Sequence, residues 1–237
     1  MPNDHGSLPG GDCCRQLRKA ARETTTWRHR SATGALLRSC VLPELSAASR
    51  ALRRPVTLEI ELLNAANDTA CRDYGAHVGL SGLEAARRQL QIETYATVLA
   101  VCLERKDNRR LHAHIRFSPL FSAQQVDLTD NRLILTPSGH AEQAAMVRFR
   151  EQFFHSYERE LGEAWERARR TDIKLQAVDW SPLFDGEHIR DYHITNLLKE
   201  LHLPVPEFTD DELFAIVERL DGHESHGGDP SRGVDSP

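Results

Sequence analysis

Histidines two apart on an extended segment share one side of the strand, and His112 and His114 meet that condition within the apolar stretch Leu111 to Leu120. Two imidazoles can share a metal, but a zinc site needs three or four ligands and no third follows nearby. The expectation is therefore a pair of polar face residues, with no metal and no cofactor. Asp127 and Asp130 are three apart and form the candidate carboxylate pair for acid–base work. Neither has a base or metal beside it in sequence. Together with Gln125, His112 and His114 they are read as contacts for a small ligand, and the set of catalytic residues is left empty. Cys13 and Cys14 are adjacent and lie near Arg15 and Arg18, a setting that favours thiolate. Five cysteines without a CxxC nevertheless make no disulfide framework. His223-Glu224-Ser225-His226 lies among glycines and reads as tail. Arg87-Arg88 and Arg109-Arg110 offer charge to a phosphate, but they read as solvated helix-face and loop arginines that need no ligand.

The elements that must hold these residues alternate between strand and helix periods. Thr24 to His29 is β-branched and aromatic, a first strand. Ala35 to Ser49 has helical spacing interrupted by Pro43, which predicts a kink or a shifted boundary. Val56 to Leu63 begins as an alternating strand and ends as a continuous apolar run, as a strand buried by helices would. Leu83 to Glu104 reads as a long helix, Arg105 to Arg110 as a loop, and Leu111 to Leu120 as a strand. Val126 to Leu135 follows as a strand or hairpin, and Met146 to Phe149 as a short strand. Phe154, Tyr157, Leu161, Trp165 and Ala168 mark one face of an amphipathic helix. This order predicts an α/β class: a mixed, partly parallel sheet flanked by helices, with a small helical C-terminal appendage.

The segment Ala123-Gln124-Gln125-Val126-Asp127-Leu128-Thr129-Asp130-Asn131-Arg132-Leu133-Ile134-Leu135-Thr136 resembles the core of phospholipase-D-like domains. In that family HxKxxxxD precedes a small turn and a hydrophobic strand. Strand, helix and strand precede the motif, and a helix closes the half-domain, an order that residues 24–170 share. Registered on Asp130, the family's histidine nucleophile falls on Ala123 and its phosphate-binding lysine on Gln125. Alanine cannot attack, and a neutral amide loses the charge that stabilises a phosphoryl anion. No second copy of the motif is present. The resemblance thus implies a degenerate, non-catalytic member, similar to the effector-binding domains of some prokaryotic regulators. The alternative is a phosphodiesterase or nuclease whose catalytic residues lie elsewhere in the sequence.

The chain has 237 residues, 40% hydrophobic and 27% charged, enough to bury a core. No apolar run approaches the roughly 20 residues of a membrane helix, and Met1 to Gly11 lacks an apolar leader. The expected compartment is the cytoplasm. The net charge of −5 is unevenly spread. Residues 1–60 carry ten basic and five acidic side chains, and 175–237 carry four basic and fourteen acidic. The acidic rear opposes binding to nucleic-acid phosphates. Residues 1–23 read as a flexible basic N-terminus, 24–174 as the α/β domain, 175–220 as a helical appendage and 221–237 as a disordered tail. Within the appendage, Thr209 and Glu212 make a capping box. Leu197, Leu198, Leu201, Phe214 and Val217 are the candidate face for a protein partner or a second copy of the chain. The functional expectation is a regulatory or binding module that senses a small ligand or signals to a partner.

Overall fold

Strand Val56–Leu63 lies second from one edge of a six-stranded mixed sheet, between the two strands that run parallel to it. The structure is a computed structural model that describes residues 12–137, 145–148, 152–167, 191–200, 203 and 207–221. The elements run α1 (Asp12–Glu23), β1 (Thr26–Arg30), a π-helical turn (Leu37–Val41), α2 (Leu42–Leu52), β2 (Val56–Leu63), α3 (Asp68–Val78), α4 (Leu83–Asp107) and β3 (Leu111–Ser118). Then come β4 (Gln124–Thr129), β5 (Arg132–Pro137), β6 (Ala145–Arg148), α5 (Gln152–Arg167), α6 (Asp191–Glu200) and α7 (Asp210–Asp221). The sheet order is β3-β2-β1-β4-β5-β6. β1, β2 and β3 are parallel, whereas β4, β5 and β6 add by antiparallel pairing. The expected α/β class with a mixed, partly parallel sheet is what the chain forms.

Alternation along the strands sorts the side chains onto two unlike faces. On one face lie Trp27 and His29 of β1, Leu58, Ile60 and Leu62 of β2, and Ala113, Ile115 and Phe117 of β3. This face is covered by α1, α2 and α4, and its apolar residues belong to the main core. Both parallel crossovers place their covering helices there. On the other face, α5 seals the antiparallel half, where Phe154 and Leu161 bury against Val126, Leu128 and Leu133. Over β1 to β3 that second face is polar instead. Arg28 pairs with Glu59 at 2.7 Å and Arg30 with Glu61 at 3.4 Å across the strands. The Arg116 guanidinium stacks on Trp165, 3.6 Å from the ring centre.

Several sequence expectations are corrected here. Residues Asp12–Glu23 form a helix whose Cys13, Leu17, Ala20 and Ala21 are buried in the main core, so this part of the N-terminus is not a flexible tail. Their spacing is one helical stripe set among charged residues. Cys14 is disulfide-bonded to Cys40, with Cα atoms 5.6 Å apart, tying α1 to the π-helical turn. The rear helices pack onto the domain itself: Ile194, Leu198, Leu213, Ile216 and Leu220 join the same core. Arg219 of α7 bonds to Glu93 of α4 at 2.5 Å, and Arg88 reaches Glu212 at 3.5 Å. The expected loop Arg105 to Arg110 begins as the last turn of α4, and α3 fills a segment that carried no helix expectation. Other features match closely. Pro43 falls in the first turn of α2, where its missing N–H costs nothing. The capping box forms reciprocally, Thr209 N–H to Glu212 at 2.8 Å and Glu212 N–H to Thr209 Oγ1 at 3.2 Å. Residues 222–237 lie outside the described residues.

Candidate functional site

The antiparallel pairing of β1 with β4 sets His29 directly opposite Asp127, both on the helix-covered face of the sheet. A charged residue at an inward position must be compensated, because an unpaired buried carboxylate is costly. Asp127 is compensated three times. Oδ1 accepts from Trp27 Nε1 at 2.9 Å and faces His29 Nδ1 at 2.7 Å, and Oδ2 accepts from Gln125 Nε2 at 2.6 Å. His29 and Asp127 side chains are wholly excluded from solvent.

The network continues outward. His29 Nε2 lies 2.8 Å from Ser31 Oγ, and Ser31 Oγ accepts the Gly34 N–H at 2.8 Å. The carboxylate can only accept, so it fixes the imidazole with its proton on Nδ1. Nε2 is then the acceptor for the Ser31 hydroxyl. Hydroxyl, imidazole and carboxylate stand in the order of an acid–base relay, with every distance inside hydrogen-bonding range.

The loop that carries Ser31 is held from below. Gly34 has φ +77°, and a Cβ there would lie 2.7 Å from Thr97 Cγ2, so only glycine fits against α4. Thr97 Oγ1 donates to the Thr33 carbonyl at 2.7 Å and accepts from Arg38 Nη1 at 2.8 Å. Arg38 also bonds to Glu93 Oε2 at 3.1 Å, the carboxylate that Arg219 reaches from α7. Burial pulls the Arg38 guanidinium below its ordinary value, against the opposing charge of Glu93.

At the carboxyl ends of the three parallel strands a small hollow opens beside Arg30 and Glu61, on the polar face of the sheet. Arg30, Ser31, Glu61, Leu63, Ser118 and Ser122 are among its walls. Open α/β sheets offer ligand sites at this edge. Arg30 is shared between Glu61 and Glu160, the latter at 3.5 Å, so the hollow has no surplus positive charge.

The residues expected to bind a ligand do not come together. Gln125 and Asp127 lie in the buried network, whereas His112 and His114 project from the opposite face of the sheet, in register with Thr57 and Glu59. A strand's side chains alternate, and the two pairs fall on opposite parities. Asp130 stands apart from both. Its Oδ2 accepts from Thr25 N–H at 2.8 Å, Thr24 Oγ1 at 2.8 Å and Thr25 Oγ1 at 3.1 Å, tying the start of β1 to the β4–β5 turn. Burial raises the Asp130 carboxyl pKa, but these hydrogen bonds outweigh it and hold the group below the ordinary aspartate range. Ala123 is exposed just before β4.

The partner face is also divided. Leu198 is buried in the core and Val217 packs against it, while Phe214 is 62% exposed. Leu201 lies outside the described residues, as does the side chain of Leu197. Among the described residues no cluster of three His, Cys, Asp or Glu could hold a metal, and no helix is long and apolar enough to cross a membrane.

Sequence reasoning missed Trp27, His29 and Ser31. The available signal was parity: His29 follows Trp27 by two, so a polar ring occupies a core-facing position of the first strand. No family model matches the chain, and no curated protein is significantly similar to it.

Proposed function

We propose that this chain is a regulatory binding module, expected in the cytoplasm, that takes a small polar ligand in the hollow at the ends of β1 to β3. In this reading it descends from phospholipase-D-like domains without their histidine phosphodiesterase chemistry. One observation carries the reading: Gln125 and Asp127, in the segment that resembles the family's motif, are locked into a buried structural network with Trp27 and His29. No lysine is in that network to bind a phosphoryl group. The hollow is walled by serines, one guanidinium and one carboxylate in a neutral balance, which suits a hydroxyl-rich ligand better than a multiply charged phosphate.

A ligand there touches the Ser31–Gly34 loop, and the loop leads through Arg38 and Glu93 to Arg219 on α7. That chain of contacts is a route by which occupancy reaches the surface of α7, where Phe214 is available to a protein partner. The test has two arms on the purified full chain. Bis-p-nitrophenyl phosphate should show no sustained turnover, with or without Mg²⁺ or Zn²⁺. Thermal melts with ribose, glucosamine and inorganic phosphate should shift upward for a hydroxyl-rich probe, as binding to the folded state alone requires. Glu61→Gln should remove that shift. Metal-dependent turnover of the diester, or a shift with phosphate alone, would overturn the reading.

A further inference from the structure

We infer that Ser31 is a nucleophile, activated through His29 and Asp127, and that the module can take up an acyl or phosphonyl group as an ester on this side chain. The inference rests on the same hollow as the binding reading but not on the identity of the ligand. Three observations support it. The hydroxyl, both ring nitrogens and the carboxylate are correctly matched: Ser31 Oγ to Nε2 at 2.8 Å, Nδ1 to Asp127 Oδ1 at 2.7 Å. The carboxylate is itself oriented by Trp27 and Gln125, which prevents the imidazole from turning. Ser31 is half-buried and borders the hollow, while the base and the carboxylate are sealed from water.

His29 and Asp127 come from two strands that pair antiparallel, and Ser31 from the loop that follows the first, so no linear motif announces them. Burial strengthens the relay, because a developing imidazolium next to Asp127 is stabilised more in a dry interior than in water. The Gly34 N–H holds Oγ in place without occupying the hydroxyl proton. With a small ester the step is as follows. Ser31 Oγ forms a bond to the carbonyl carbon as its proton passes to His29 Nε2. The tetrahedral adduct then breaks its bond to the leaving alkoxide, which recovers the proton from Nε2. The products are the Ser31 ester and a free alcohol. Nothing is oxidised or reduced.

The role differs from that of a merely structural Ser31, which would cap the loop and react with nothing. It also differs from the family chemistry that the sequence resembles, whose nucleophile is a histidine.

The full chain is incubated with an alkyl fluorophosphonate and followed by intact mass and peptide mapping. One adduct per chain on Ser31 is expected, absent in Ser31→Ala and formed at least about 100-fold more slowly in Asp127→Asn, as loss of the orienting carboxylate does in serine triads. Wild-type protein should also release one equivalent of p-nitrophenolate per chain from p-nitrophenyl acetate in an initial burst. This second readout does not depend on any variant folding. No adduct and no burst with the wild type would overturn the inference, as would an adduct mapped to another residue or a rate unchanged in a folded Asp127→Asn protein. Ligand-induced melting shifts of the wild type separate the two readings: a shift without any labelling of Ser31 leaves the binding module standing and the nucleophile refuted.

Discussion

His29 and Asp127 face each other across the β1–β4 pairing, Nδ1 to Oδ1 2.7 Å apart, on the face where β1 also turns in Trp27 and β4 turns in Gln125 and Thr129. The pair is stabilising only while complete. Asp127→Ala removes the acceptor for three buried donors, on Trp27, His29 and Gln125. It should therefore cost about 3–5 kcal/mol by urea denaturation, the loss typical when one partner of a buried pair is deleted.

Ile60 is fully buried at the centre of β2, between strands β1 and β3. Ile60→Ala should cost about 2–5 kcal/mol, and Arg109→Ala, in the exposed turn before β3, less than about 0.5 kcal/mol. The two denaturation midpoints, compared at constant slope, check this order.

Truncation before Phe208 should fail to give a stable domain. It strips Leu213, Ile216 and Leu220 from the core and leaves Glu93 without Arg219. Three buried aliphatic side chains are worth roughly 5 kcal/mol together at usual burial values, comparable with the whole stability of many domains. Solubility and far-ultraviolet circular dichroism of the truncated chain decide the matter. A soluble fragment with an unchanged melting temperature would mean that α7 contributes nothing to the core.

Asp130 predicts part of the acid sensitivity. Its folded-state pKa is depressed, so its stabilising effect is present above the unfolded value and is lost as pH falls through the folded one. Asp130→Asn keeps an acceptor but cannot titrate. Between pH 7 and pH 3 the wild type should lose more stability than Asp130→Asn, measured as the difference in urea midpoints.

The Cys14–Cys40 bridge closes a loop of sequence separation 26. Reduction frees that loop in the unfolded chain, an effect of about 3 kcal/mol for a loop of this size. A non-thiol reductant should lower the melting temperature of the wild type and leave Cys14→Ser unaffected.

How much of this was legible in the sequence depended on whether the information was local. β2 was readable residue for residue, because Pro55 and the polar Asn64–Asp68 turn frame a run that nothing interrupts. The capping box of α7 was readable for the same reason. α1 was not, since four buried residues are scattered among basic ones and the stripe has meaning only with a sheet beneath it. The relay was hidden more deeply. Asp127 looks like a surface contact by residue type, and only the pairing of β4 with β1, some hundred residues apart in the chain, turns it inward to meet His29. The disulfide was equally out of reach, because Cys14 and Cys40 become neighbours only after α1 docks on the π-helical turn.

Glu93 is held by Arg38 from the π-helical turn and by Arg219 from α7, two cations on one carboxylate. During synthesis the sheet and α4 emerge long before α7 does. Until α7 arrives, Glu93 has Arg38 as its cation, beside the Gln89 amide, and the side of α4 that α7 will cover stays wet. The loop bearing Ser31 therefore reaches its final electrostatic setting only once α7 has docked, and a nascent chain halted before α7 would present the hollow on an unfinished support.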